Sequence, residues 1–278
     1  MIRYKGVTDE GVEIEQLASR PTLYLDNWAL NLFSDDHTLG CRFTGLLNEL
    51  GGTLAISVIN VLEVGKRSDT GRVSDICGLL DSVDGVFISI DPARVSQKEE
   101  ESKNKYRVLS RNSPCADLHL LEALEGVHDP LKPFKISEVV LELARQLKDS
   151  NGPVREGFET ELSQRIRRAR NNKTTLLRAK NRFRNRRRKI KTGFPHTQDL
   201  YDLSIDFIVI NEGMKMPDKE WLDLFHCIVP VTYCDFVLID GRWTAFVRST
   251  GLRSPEIASV YNRNELENFL RDLEGFSE

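Results

Sequence analysis

The residues of this chain whose types and spacing could do chemistry are carboxylates that recur where apolar runs end. Asp26 closes the β-prone run TLYLD. Glu63 follows the apolar run TLAISVI by a few residues, inside NVLEVGKR, where the period shifts toward helix. Asp240 closes CDFVLID, whose centre Phe236-Val237-Leu238-Ile239 fits a strand covered on both faces. Asp223 lies just upstream, in a stretch where Leu222, Phe225 and Val229 recur at helical spacing, and His226 stands one turn after it. Ligands of open parallel sheets bind beyond the carboxyl ends of the strands, so four acids on neighbouring strands would meet at one edge. Such a cluster repels itself and stays protonated unless a cation neutralises it. Oxygen ligands in an open site suit Mg²⁺ or Mn²⁺, which would activate water and stabilise charge on a phosphodiester. Asp26, Glu63, Asp223 and Asp240 are therefore the candidate catalytic residues and metal ligands. Asp235, His226 and Asn60 take second rank near the site. Taken alone, Asp26 reads better as a helix cap, Glu63 equally well as a solvated face, and His226 as a hydrogen-bonded structural residue. The coincidence of four acids carries the reading.

The elements that must position these residues alternate. Pro21 leads into strand TLYLD, and a helix begins at Asn27, with a break expected near Gly40 and a stop at Gly51-Gly52. Strand TLAISVI, a helix with Glu63 in its first turn, a helix from about Asp69 to Leu80, and strand VFISI follow. This order implies an α/β fold with a central parallel sheet and helices on both faces. Residues 93–199 read as a helical insertion, including SEVVLELARQLKD and one long basic helix. The sheet domain then resumes over 200–278, so it is discontinuous with 20–92. A short helix is expected to turn at Pro230 into the strand that ends on Asp240; TAFVR reads as strand, and Asn264 as the cap of ELENFLRDLE. Residues 1–20 read as polar and peripheral.

The 278 residues carry a formal net charge of −3, which conceals an asymmetry. Between Arg165 and Lys191 lie 14 Lys and Arg and no acid, leaving 25 basic against 42 acidic residues elsewhere. An acidic body with one basic segment points to a local polyanion contact. Arg168, Arg178, Arg182, Arg184, Arg186, Arg187 and Arg188 are the candidate nucleic-acid contacts. Phe183 is the only aromatic residue among them, so the segment is equipped to hold backbone rather than read bases. The other readings of this segment are a solvated helix, or a face that docks on an acidic surface of the same or another chain. Five cysteines without a C-x-x-C pair argue against a zinc ribbon and a disulfide framework, and fit a reducing, cytoplasmic setting. No run reaches the roughly 18 apolar residues a membrane span needs, so no membrane partner is expected.

The segments LYLDNWALN, ISVINVLEVGK and DLFHCIVPVTYCDFVLIDGRW resemble a PIN-like nuclease domain, in particular the variant PIN-like subgroup of bacteria, in which a Tyr-x-Asp precedes the last strand. The resemblance covers roughly 20–90 and 200–278. It implies a three-layer α/β/α fold and a metal-dependent endoribonuclease whose four acids are Asp26, Glu63, Asp223 and Asp240. The usual Thr or Ser two residues before the fourth acid is Leu238 here, and Asn27-Trp28 replaces the more common pair after the first. A toxin or phage-defence effector fits this resemblance by analogy. Two alternatives remain: a catalytically inactive RNA-binding or regulatory protein on the same scaffold, and a structure-selective DNA nuclease. A second copy of the chain or a regulatory protein is the remaining class of partner.

Overall fold

A computed structural model describes residues 2–8, 11–102, 109–127, 135–147, 152–189, 197–214, 216 and 220–277. The chain opens with a hairpin, β1 (Ile2–Thr8) and β2 (Gly11–Gln16). Next come β3 (Thr22–Leu25), α1 (Asn27–Asp35), α2 (His37–Glu49), β4 (Thr53–Ser57), α3 (Val58–Gly65), α4 (Thr70–Asp81) and β5 (Gly85–Ile88). Helices α5 (Pro92–Ser102), α6 (Leu118–Val127), α7 (Ile136–Leu147), α8 (Gly152–Asn171), α9 (Lys173–Lys189) and α10 (Thr197–Ile210) follow. The chain closes with α11 (Glu220–Tyr233), β6 (Phe236–Leu238), α12 (Gly241–Thr250), β7 (Ser259–Tyr261), a 3-10 turn (Arg263–Glu265) and α13 (Leu266–Glu274).

Five strands pair in parallel in the order β5-β4-β3-β6-β7. The chain builds outward from β3 in one direction and then returns to its other side through β6. The switch point is thus the crevice between β3 and β6, where open α/β sheets hold their ligands. Side chains alternate between two cores. Leu23, Leu25, Leu54, Ile56, Phe87 and Leu238 face α1, α2, α4 and α7, whereas Tyr24, Ala55, Val86, Ile88 and Val237 face α10, α11 and α12. That gives the three layers of an α/β/α fold, as the strand–helix alternation implies.

The segment 93–199 does not stand apart. Leu120, Leu121 and Leu124 of α6 and Val139, Val140 and Leu143 of α7 belong to the first core, and Val95, Leu162, Ile166 and Ala179 to the second. Its helices complete both layers. At Gly65, on α3, an added Cβ would lie 2.6 Å from Cβ of Ala144 on α7, so these helices meet almost backbone to backbone.

Several elements differ from expectation. The N-terminal residues are structural: Ile2, Ile14 and Gln16 are buried. The Gln16 amide pairs with the Phe87 backbone, donating to its carbonyl at 2.9 Å and accepting from its N–H at 2.7 Å, which covers the outer edge of β5. The helix break falls at Asp36, not Gly40, because Asp36 caps α2 by accepting from Leu39 N. TAFVR is helical: Asp240 starts α12, and Trp243, Phe246 and Val247 are buried at helical spacing. Pro230 lies inside α11, where burial of Ile228, Val229 and Val231 outweighs a helix penalty of about 3 kcal/mol. The basic helix is two helices, broken at Asn172, which accepts from Thr175 N and so caps α9. Asn262, not Asn264, makes the C-terminal capping box, with Glu265 as its partner.

Candidate metal centre

Three ligand-bearing side chains converge at the switch point. Asp26 follows β3 directly, its N–H donating to the Leu238 carbonyl of β6 at 2.9 Å. The carboxylate caps α1, accepting from Asn27 N at 2.6 Å, and is buried. Glu63 arrives from α3. That helix begins as soon as β4 ends, because Ser57 and Asn60 form a capping box that turns the chain into helix at the β-branched pair Val58-Ile59. Glu63 consequently sits in the second turn of α3, not the first. His226 reaches in from α11. Ligand atoms of Asp26, Glu63 and His226 all lie within 4.8 Å of one another.

The electrostatics of the group are those of a site short of positive charge. Burial, reinforced by the nearby Asp240 charge, pushes Asp26 from the usual carboxylate range up to about 6. Burial, then Asp26 and Asp223, pushes Glu63 up to about 7, with Lys66 and Arg67 acting in the opposite sense. Burial holds the His226 imidazole neutral, its pKa down to about 3. Its approach of 3.9 Å to Asp26 Oδ1 is therefore not an ion pair. Glu63 Oε2 and His226 Nε2 are buried and have no hydrogen-bond partner. Orphaned buried acceptors are costly, and two that face one small space fit a cation.

The structure sorts the sequence candidates. Asp26 and Glu63 come together as expected. Asp223 and Asp240 flank the compact group without joining it. Asp223, on α11, is partly buried and acts on Glu63; Asp240 is exposed, acts on Asp26 and caps α12 by accepting from Arg242 N at 2.8 Å. His226, given second rank by the sequence, is central. Asn60 is a supporting residue: its Nδ2 donates to the Leu25 carbonyl at 3.1 Å, tying α3 to the end of β3. Asp235 is not near the site. It precedes β6, where it accepts from Thr22 N at 2.8 Å and from Arg20 at 2.7 Å. That is the amino-terminal edge of the sheet, a full strand length from Asp26.

Other contributors carried weaker signals. Tyr24 and Ser57 hydrogen-bond at 2.9 Å, and the Tyr24 hydroxyl also contacts His226 Nδ1. A tyrosine inside an otherwise aliphatic buried strand was the available clue. Arg67 reaches Asn27 and Asn31 on α1, which holds α3 against the helix that Asp26 caps.

The basic helices are exposed but not uniformly available. Arg168, Arg178 and Arg184 are exposed. Arg182 pairs through two nitrogens with buried Asp206 on α10, with one contact at 2.7 Å, so its guanidinium is held by the protein itself. Arg170 caps α10, donating to the carbonyls of Ile208, Asn211 and Met214. The side chains of Arg186, Arg187 and Arg188, and all of Ile190 and Lys191, lie outside the described residues. Phe183 packs on Phe207, which in turn packs on Phe246 of α12. The basic hairpin and the helix begun by Asp240 thus share one layer. No helix among the described residues is long and apolar enough to cross a membrane.

Protein-family models, curated proteins and solved structures give no match to this chain.

Proposed function

We propose that this chain is a metal-dependent endoribonuclease. The observation that supports this most is the convergence of Asp26, Glu63 and the orphaned Nε2 of His226 at the switch point of a parallel sheet. The proposed cofactor is Mg²⁺ or Mn²⁺, held by Asp26 and Glu63. A divalent ion supplies Lewis acidity, polarising a phosphoryl oxygen and lowering the pKa of water. Ion binding would also displace the proton that Glu63, raised to about 7, retains in part near neutral pH. Asp223 and Asp240 stand at the rim, where carboxylates accept hydrogen bonds from an incoming water and orient it. Lys66 and Arg67 offset part of the negative charge that would repel a phosphodiester. Arg168, Arg178 and Arg184 present exposed charge to the phosphate backbone of a strand.

Purified protein should be incubated with labelled RNA and DNA in Mg²⁺, Mn²⁺ or EDTA. Endonucleolytic cleavage of RNA that requires metal and disappears in Asp26→Asn is the expected result. Cleavage of DNA alone would replace RNA as the substrate. Metal-independent binding with no cleavage of either would overturn the enzymatic reading and leave a binding protein.

A further inference from the structure

The tautomer of His226 follows from a hydrogen-bond chain anchored on the backbone. Asn60 can face only one way: its Nδ2 donates to the Leu25 carbonyl at 3.1 Å, so Oδ1 must accept from Ser57 N and from Ser57 Oγ, both at 2.9 Å. The Ser57 proton is thereby committed to Asn60. At the 2.9 Å contact with Tyr24, Ser57 Oγ is left as the acceptor and the Tyr24 hydroxyl as the donor. A phenol hydroxyl carries its proton at neutral pH, so it has one to give to Ser57 Oγ. Tyr24 oxygen then accepts from His226 Nδ1. A neutral imidazole has one proton, and here it is on Nδ1. The Nε2 lone pair is left bare, with His226 only 1% exposed, and faces Asp26 Oδ1 at 3.9 Å. Two lone pairs face one another there, too far apart to share a proton.

We infer that His226 Nε2 is a direct ligand of the ion that Asp26 and Glu63 bind, and that the chain Asn60–Ser57–Tyr24 fixes the tautomer that makes it one. This rests on the site holding a metal ion, and not on RNA being the substrate. One imidazole beside two carboxylates favours a transition ion over an all-oxygen one, because nitrogen donors gain more from Mn²⁺ than from Mg²⁺. The site is accordingly selective for Mn²⁺ over Mg²⁺.

The test reads the bound ion rather than catalysis. Metal-free full-length protein is titrated with Mn²⁺, and pulsed electron paramagnetic resonance reads coupling to nitrogen in the first coordination sphere. Protein grown with ¹⁵N-histidine should show the ¹⁴N signature replaced by that of ¹⁵N. Mg²⁺ should displace Mn²⁺ only in large excess. Tyr24→Phe keeps His226 and the ring packing but removes the oxygen that holds Nδ1–H. It should weaken Mn²⁺ binding by about 10–100-fold, the usual effect of losing a residue that orients a metal ligand. Mn²⁺ bound without histidine nitrogen coupling, or an affinity unchanged in Tyr24→Phe, would overturn the assignment. So would the absence of any Mn²⁺ binding, which would also remove the metal-dependent reading. Histidine coupling in a protein that cleaves no RNA would uphold the ligand and overturn only the substrate.

Discussion

Replacing Asp26 with Asn should stabilise the metal-free protein above neutral pH while abolishing its response to metal. The cap is retained, since an Asn oxygen can accept from Asn27 N as Asp26 does at 2.6 Å. What disappears is the cost of a buried charge. The folded-state pKa of Asp26 is raised from 3.8 to about 6, so the folded state keeps a proton that the unfolded chain loses first. The stability associated with that proton is complete below about pH 3.8 and is lost as pH rises through about 6. At about 1.4 kcal/mol per pH unit, the loss by pH 8 is about 3 kcal/mol. The new amide gives back about 1 kcal/mol where it lacks a partner, leaving a gain of about 2 kcal/mol. For a chain of this size that corresponds to roughly 3–4 °C in Tm. Thermal unfolding in EDTA at pH 4.5 and pH 8 measures it directly. The variant should match or fall slightly below the native chain at pH 4.5 and exceed it at pH 8. Millimolar Mn²⁺ should raise the Tm of the native chain only. A variant that is destabilised equally at both pH values would refute the reasoning, because the Asp26 carboxylate would then not be under electrostatic strain.

Arg182→Ala should lower stability by about 1–3 kcal/mol, since it leaves buried Asp206 without its partner while half of the Arg182 side chain was already exposed to water; denaturant midpoints will show it. Changing Arg168, Arg178 and Arg184 together to Glu should leave the Tm within about 1 °C, as exposed substitutions do. The same change should reduce the slope of log K against log salt for single-stranded RNA by about 2, as read by fluorescence anisotropy. Gly65→Val should cost about 2–4 kcal/mol, because the added atoms meet Ala144 where a Cβ would already lie at 2.6 Å. The nearness of Glu63 on the same helix means that this variant should also lose metal affinity, measurable by calorimetric titration.

The parts of the site legible in the sequence were those marked by a change of period. Asp26 stands where alternation gives way to a helix, and Glu63 shortly after the same event at Ser57, so both could be assigned to one sheet edge. Asp235 misleads because only four residues separate it from Asp240, yet a strand lies between, and the two ends of a strand belong to opposite edges. His226 was underrated for a different reason. Its spacing from Asp223 places both near one helix face, but only the neighbour across the layer, Tyr24, decides which of them is drawn inward. β7 was missed because three residues are too few to establish a period. Composition presents the basic run as one surface, although Arg170 and Arg182 are turned inward onto partners more than twenty residues away that composition cannot disclose.

The near-contact of Gly65 with Ala144 changes what a minimal version of this protein can be. Glu63 is held by a helix whose outer wall is α7, a helix from the stretch that the sequence presents as an accessory. Excising 93–199 would strip the support from the helix that carries Glu63 and open both hydrophobic layers to water. The stretch is thus a foundation under the acidic group, and chains that share the sheet but replace this stretch must find another way to brace the second acid.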